Sequence, residues 1–466
     1  MSITDRESFL STHVIRHTGD LKPDTPNRQA VVSPARTAAF DILFRVERES
    51  SYASELLHSR TYNRLTTADH ALATELVFGV LRWRSLLDLQ IAGCSAQPLA
   101  KLDLEAVIAL RLGLYQLRWL SRVPARAAIY ESVELVKRAR KRSAASFVNA
   151  VLRKLAQLTL EADERSPDEG YESVESIAHE FAHPRWLVER WAREYGIETV
   201  RRICRYNQSV PATAIRLRRP DADKELQAEG IDLKPGGLLA AARLIQHSDV
   251  TRGDVTKSRA FRAGLCVIQD EASQLVAAVA GGGARVLDCC ASPGGKTLAM
   301  ADHNPDAQIV AVDLHPHRTR LLRKLLRIGD ESHAAPSNIR VLTADARNLP
   351  FAGSFDRVLA DVPCSGTGTL ARNPEIKWRL KPEDLADLQQ RQVAILRSTM
   401  AQVAPRGRLI YSTCSLEREE NEDVIERALA GDTAFRVLDC RAALDVLRES
   451  RELIWNDSAS LTRGPY

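Results

Sequence analysis

Two cysteines lie in short runs whose neighbours suit chemistry beyond that of a buried thiol. Asp361-Val362-Pro363-Cys364-Ser365-Gly366-Thr367-Gly368 leaves an apolar stretch, Arg357–Asp361, that reads as a buried strand. Tyr411-Ser412-Thr413-Cys414-Ser415 leaves a second, Arg408–Ser412. Ligands of an open α/β sheet bind beyond the carboxyl ends of its strands, so thiols at neighbouring strand mouths would face one crevice. Either cysteine alone reads as a small buried hydrophobe, but strand-end loops are exposed and polar, which weakens that reading. A thiol pair beside carboxylates suits covalent catalysis on an electron-poor ring. Carbon 5 of cytosine is too weak a nucleophile to attack a methyl sulfonium directly. A thiolate adding at carbon 6 turns the ring into an enamine whose carbon 5 can take the methyl group. The thiolate must have a lowered pKa, an acid must protonate N3, and a base must remove the carbon-5 proton. The target base must also leave its stack. Loops that grip an exocyclic amine commonly read Asn/Asp-Pro-Pro-aromatic; Asp361-Val362-Pro363-Cys364 carries a thiol instead, which points to carbon chemistry. Spacing leaves Cys364 and Cys414 interchangeable as nucleophile.

Carboxylates stand at the ends of the strands that would position these thiols. Asp288 ends the first strand and precedes Cys290-Ala291-Ser292-Pro293-Gly294-Gly295-Lys296. Asp313 ends the second, where it suits ribose hydroxyls, and Asp345 follows the third, where it suits an adenine amino group. Asp361 ends the fourth. Singly, each reads as a helix cap or turn residue; the series is harder to explain that way. Gly294-Gly295-Lys296-Thr297 resembles a phosphate loop, but Cys290 stands where that motif needs glycine, and no GxGxxG follows the strand. The loop fits a compact ligand without phosphate. S-adenosylmethionine satisfies this, since its ammonium and its ribose each want a carboxylate.

The elements needed to hold these residues are legible as periodicity. Five buried strands are predicted at Arg285–Asp288, Ile309–Asp313, Ile339–Thr343, Arg357–Asp361 and Arg408–Ser412, with helices between them, the longest over Pro382–Val403. That alternation predicts a doubly wound parallel sheet over residues 266–466. Residues 35–160 repeat apolar positions at helical spacing and predict an all-helical domain. Residues 161–176 read as a linker, residues 177–265 as a small α+β module, and residues 1–34 as a loosely ordered tail. In the module, His183-Pro184-Arg185-Trp186 opens a helix to Tyr195, Ala212–Leu217 alternates like a strand, and Pro235-Gly236-Gly237 is a turn.

The 466 residues carry 44% hydrophobic and 27% charged side chains with a net charge of +5, a balance that permits a nucleic-acid partner without requiring one. No apolar run approaches the ~18 residues of a membrane span. Eight cysteines with no CxxC pair argue against a disulfide framework and a zinc site, and fit a reducing compartment. A cytoplasmic, monomeric protein is expected. Two basic runs, Lys137/Arg138/Arg140/Lys141/Arg142 and Arg201/Arg202/Arg205/Arg216/Arg218/Arg219, each read alone as a solvated face; together they suggest a phosphate-binding surface.

At the cofactor loop and the two cysteine runs the sequence resembles the NOL1/NOP2/Sun family of RNA cytosine-C5 methyltransferases, with Cys289 and Ser292 as variations on its loop. The resemblance implies a Rossmann-like class I methyltransferase domain that uses S-adenosyl-L-methionine. It implies Cys414 as nucleophile, Cys364 as the thiol that assists product release, and Lys296 and Asp361 beside the reacting base. Cys290, Ala291, Ser292, Pro293, Gly294, Gly295, Lys296, Asp313, Arg318, Asp345 and Asp361 are the implied cofactor contacts; no metal is implied. Ser146–Arg153 and His70–Arg84 resemble the NusB RNA-binding fold. A NusB-like domain joined to this catalytic domain is similar to bacterial small-subunit rRNA methyltransferases, implying 16S rRNA or an early small-subunit particle as partner. The same chemistry on tRNA or DNA is an alternative, and in the DNA enzymes the Pro-Cys thiol attacks, which would shift the role to Cys364. A catalytically idle NusB-like assembly factor is another, opposed by the retained thiols and carboxylates. Family members usually continue past a Gly-Pro-Tyr-like segment into a Phe-rich strand. Here Tyr466 follows Arg463-Gly464-Pro465 and ends the sequence, so a sheet short of one edge strand is expected.

Overall fold

The computed structural model describes residues 32–49, 51–59, 61–62, 64–162, 173–246, 255–327, 338–351, 354–457 and 461. Residues 1–31 of the expected tail, most of the expected linker and the Arg463–Tyr466 segment lie outside the described residues, and Pro34, at the tail's expected end, already opens a helix.

The amino-terminal part is helical throughout. Its long helices span Pro34–Glu49, Thr67–Cys94, Leu104–Trp119, Ala125–Arg138 and Ala145–Ala162. Thr66 caps the second of these by accepting from the Asp69 N–H, which satisfies one of the amides a helix start leaves unpaired. The helices surround one apolar core that includes Ile42, Leu76, Leu87, Ile108, Leu110, Val136 and Leu152.

Three shorter helices follow, Val174–Glu180, Arg185–Tyr195 and Ile197–Gln208. Proline at 184 precedes the middle one, and Gly196, at φ 79°, ends it. Leu187, Val188, Trp191, Val200 and Ile203 bury their common face, and Leu370 of the catalytic part joins that cluster. The next segment forms an antiparallel sheet of β1 (Ala214–Leu217), β2 (Leu233–Pro235), β3 (Ala242–Ile245) and β4 (Cys266–Ile268), in the order β2-β3-β1-β4. This sheet has a core of its own, with Ile215, Leu226, Ile231 and Cys266.

The catalytic part is a parallel sheet in the order β7-β6-β5-β8-β9. Its strands are β5 (Arg285–Asp288), β6 (Gln308–Asp313), β7 (Ile339–Thr343), β8 (Phe355–Asp361) and β9 (Val403–Ser412). The order reverses at β5, so the crevice between the β5 and β8 loops is the switch point where such sheets bind ligands. Helices Glu271–Ala280, Gly295–His303, Pro316–Leu325 and Asp384–Met400 flank the sheet.

Two sequence expectations need correction. β9 begins at Val403, not Arg408, and pairs with Phe355 before a register shift restores pairing at Arg357–Arg408. Pro405 and Arg406, at φ 65°, make this start irregular, and a proline in a strand is a signal against one. The second basic run is not a continuous surface. Arg216 is buried, donating to Gln269 at 3.0 Å and pairing with Asp302 at 2.7 Å, while Arg218 also pairs with Asp302. β1 is buried on both faces: Ile215 and Leu217 face the sheet's own core, and alternation turns Arg216 to the opposite face, where Asp302 and Gln269 cover it.

The helical domain packs directly on the catalytic domain. Arg82 donates to Ala371 O at 3.0 Å, Lys377 Nζ to Arg82 O at 2.9 Å, and the Ala53 N–H to Glu375 at 3.0 Å. Burial holds the Lys377 amine well below the usual lysine range.

Candidate active site

The cofactor loop is set by backbone constraints within a few residues. β5 ends at Asp288, which is buried and accepts from the Thr297 hydroxyl at 2.7 Å, closing the loop against the helix that follows it. Burial pushes the Asp288 carboxyl up to about 7 despite that bond. Cys290, Ala291, Ser292 and Pro293 form the turn, with the Ala291 N–H donating to Val312 O at 2.8 Å. Gly294 lies at φ 116°, and a Cβ there would come within 2.4 Å of Leu322 Cδ1. Only glycine meets both demands. Gly295 then starts the helix Gly295–His303, whose first N–H groups have no partner within the helix.

Asp288, Asp313 and Asp361 end β5, β6 and β8, and Asp345 follows β7, so all four stand at the carboxyl edge of the parallel sheet. Burial raises the Cys290 thiol, and Asp288, Asp361, Asp313 and Asp345 raise it further. Asp313 is nearly buried and accepts from the His315 N–H at 2.9 Å. Arg318, half-buried, lies in the first turn of the helix Pro316–Leu325 that follows β6. Asp345 differs: its carboxylate is bound by the Arg347 guanidinium at 2.7–3.1 Å, and these bonds hold it below the usual carboxylate range. A ligand amino group would share that carboxylate with Arg347. The fit to S-adenosylmethionine rests on more than the acids. Ser292 Oγ and Gln269 Nε2 are buried without a hydrogen-bond partner, and Gln269 lies against Gly295. Buried polar atoms normally find partners, so these two offer bonds to a polar ligand in the loop.

The thiols lie across the crevice. Cys364 Sγ and Cys414 Sγ are 3.1 Å apart, and the Cys414 N–H donates to Cys364 Sγ at 3.3 Å. Cys414 is exposed and Cys364 half-buried. The S–H of Cys364 on its sulfur lowers the Cys414 thiol from its ordinary value, and the Lys296 ammonium adds to this. Donating that bond, together with burial, raises Cys364. The Cys414 N–H donated to Cys364 Sγ acts the other way on Cys364, so the two thiols titrate as a pair. Lys296 Nζ pairs with Asp361 Oδ2 at 2.7 Å, and Ser412 donates to Asp361 Oδ1 at 2.7 Å.

Other groups that the sequence did not single out hold the two thiol loops. Gly368 N–H donates to Cys414 O at 2.9 Å and Leu416 N–H to Thr367 Oγ1 at 2.9 Å. Gly366 is at φ 75°, and a Cβ on Gly368 would meet Cys414 O at 2.9 Å. Glu417, buried, accepts from Trp191 Nε1 at 2.9 Å and pairs with Arg190, and Tyr195 donates to Leu416 O. Helix Arg185–Tyr195 thereby braces the loop after Cys414. The run Glu417–Asp423 looks like a solvated acidic stretch in the sequence, and nothing in its composition marks Glu417 and Glu420 as the two buried members.

An open parallel sheet with acidic strand ends, a glycine loop at its switch point and two adjoining thiols defines a Rossmann-like methyltransferase architecture. Comparison with known proteins is specific. The family described as 16S rRNA methyltransferase RsmB/F matches residues 279–449, the NusB family residues 33–157, and the ferredoxin-like domain of RsmF/B-like methyltransferases residues 183–251. The chain is 35% identical over 407 residues to the Bacillus subtilis (strain 168) protein named "Probable ribosomal RNA small subunit methyltransferase B", covering 84% of this chain and 87% of that one. It is 32% identical over 390 residues to "Ribosomal RNA small subunit methyltransferase B" of Pseudomonas syringae pv. tomato, covering 81% and 82%. The crystal structure of PH0851 shares the fold, with a TM-score of 0.69 and 23% identity over 87% of this chain and 91% of that one. The chain belongs to the RsmB/F family of methyltransferases, with an amino-terminal NusB domain and a ferredoxin-like middle domain.

Proposed function

We propose that the chain methylates carbon 5 of a cytosine in 16S rRNA, free or in an early small-subunit particle, with Cys414 as covalent nucleophile. The observation that carries this reading is the pair of sulfurs 3.1 Å apart with Lys296–Asp361 beside them. S-adenosylmethionine, when bound, supplies an electrophilic methyl group on its sulfonium. Asp313, Asp345, Asp361, Ser292 and the Gly294–Gly295 backbone would hold it; Cys290, Ala291 and Pro293 complete the loop, and Arg318 adds a guanidinium from the helix Pro316–Leu325.

The chain's own residues do the rest. The Cys414 thiolate attacks carbon 6 of a base turned out of its stack, forming a C–S bond as the ring electrons shift toward N3. N3 takes up the proton held by the Lys296–Asp361 pair, whose Nζ and Oδ2 lie 2.7 Å apart, and returns it to that pair when the adduct collapses. After methyl transfer the carbon-5 proton leaves to a base, the C–S bond breaks, and Cys414 returns as thiolate. Cys364, held against Cys414 Sγ, assists that release. The names of the relatives, the NusB domain and the thiol pair support rRNA as substrate and the cytoplasm as the place of action.

Transfer of labelled methyl from S-adenosylmethionine to rRNA tests the reading. The parent protein is expected to label one cytosine and Cys414→Ala to lose at least about 1,000-fold in rate, as removal of a covalent nucleophile does. Labelling by Cys414→Ala at the parental rate would sink the mechanism. Bisulfite mapping of rRNA from a deletion strain names the nucleotide.

A further inference from the structure

One fully buried carboxylate near the site has no role in the chemistry above. Glu420 Oε1 accepts from the Ser365 N–H at 2.8 Å and from Gln392 Nε2 at 2.9 Å, and Oε2 accepts from the Ser365 and Ser415 hydroxyls. All of these donors are neutral, so burying this charge is costly unless every bond is kept. The donors come from both thiol loops: Ser365 follows Cys364 and Ser415 follows Cys414. The two hydroxyl oxygens are drawn to 3.0 Å of each other. Gln392 also donates to Pro363 O at 3.0 Å, tying the residue before Cys364 to the same carboxylate.

We infer that Glu420 is a positioning residue that clamps the two cysteine loops together and so holds the Cys364 thiol on Cys414 Sγ. The inference rests on the reading of Cys414 as nucleophile. Two backbone-level ties, from Gly368 to Cys414 and from Leu416 to Thr367, act in parallel, so loosening rather than collapse follows when the clamp is removed.

The test is the pH dependence of Cys414 alkylation by iodoacetamide in the full chain, read by peptide mass, without RNA or cofactor. Cys364, Asp361, Lys296 and Glu420 are the titratable groups acting on this thiol. Loss of the clamp removes the Cys364 donor and moves the midpoint up. Loss of the Glu420 charge alone removes a repulsion and moves it down. Glu420→Gln is expected to move it up by about one unit, an alkylation rate about 10-fold lower at neutral pH. Ser415→Ala and Ser365→Ala, which retain the charge, are expected to move it the same way by less. An unchanged or lowered midpoint in folded Glu420→Gln overturns the inference; if that variant does not fold, the same result in Ser415→Ala overturns it. Because alkylation needs no methyl transfer, a parent protein that alkylates normally yet labels no RNA would count against the proposed function and not against the clamp.

Discussion

The two halves of the pocket are built differently. The cofactor half is centred on one stretch, Asp288 to Thr297, whose shape follows from the left-handed Gly294, the helix start at Gly295 and one local bond between Asp288 and Thr297; Asp313, Asp345 and Asp361 join it from the neighbouring strand ends. The thiol half is assembled from three distant stretches: the β8 loop, the β9 loop and, more than 220 residues earlier in the chain, the helix carrying Arg190 and Trp191. Local backbone geometry builds a binding loop, whereas the alignment of two thiols depends on tertiary packing. Variants should therefore divide into those that damage one half and spare the other.

The largest effect is expected for Trp191→Ala. It empties a fully buried site and frees Glu417, costing about 3–5 kcal/mol in denaturant unfolding. Cofactor affinity of the remaining folded protein should stay near parental while Cys414 alkylation slows; a loss of cofactor affinity equal to the loss of thiol reactivity would break the division. Gly294→Ala should do the reverse. The Cβ meets Leu322 at 2.4 Å in a left-handed backbone, at a cost of about 1–3 kcal/mol. Calorimetry should read a cofactor Kd weakened about 10-fold or more, with the Cys414 alkylation profile unchanged.

Asp288 gives the cofactor half a pH signature. Its folded-state pKa, about 7, lies above the unfolded carboxylate value. The protonated form is thus favoured by folding, and the stability it contributes is full below about pH 4 and lost as pH rises toward 7. Urea unfolding across that window should show a contribution of at most roughly 1.4 kcal/mol per pH unit that disappears in Asp288→Asn; identical slopes in the two proteins would contradict it. The smallest effect is expected far from both halves. Reversing Arg140 and Arg142, exposed beside the end of helix Ala125–Arg138, should weaken RNA binding a few-fold at low salt and flatten its salt dependence. Unchanged binding would remove that run from the RNA surface.

Legibility in the sequence follows the same division. β5 and β7 fall where periodicity places them, and the cofactor loop is readable because its constraints are local glycines and strand ends. The amino-terminal helices are equally plain from their 3.6-residue period. The early start of β9 was hidden by Pro405 and by pairing that only the neighbouring strand supplies. Arg216 counted as surface charge because its cover, Asp302 and Gln269, comes from distant parts of the chain. The braces at Glu417 and Glu420 were not legible, since their partners Trp191 and Gln392 are 226 and 28 residues away. The order of the two thiols was likewise open to spacing alone, and the proposal of Cys414 leans on the family resemblance, with Cys364 and Lys296 lowering its thiol in support.

The most direct test of that order is a covalent trap. RNA carrying 5-fluorocytosine at the target position cannot release its carbon-5 substituent as a proton, so the attacking cysteine remains attached to carbon 6. Digestion and mass mapping of the adduct are expected to place it on the peptide containing Cys414. An adduct on the Cys364 peptide in the folded parent protein would contradict the account.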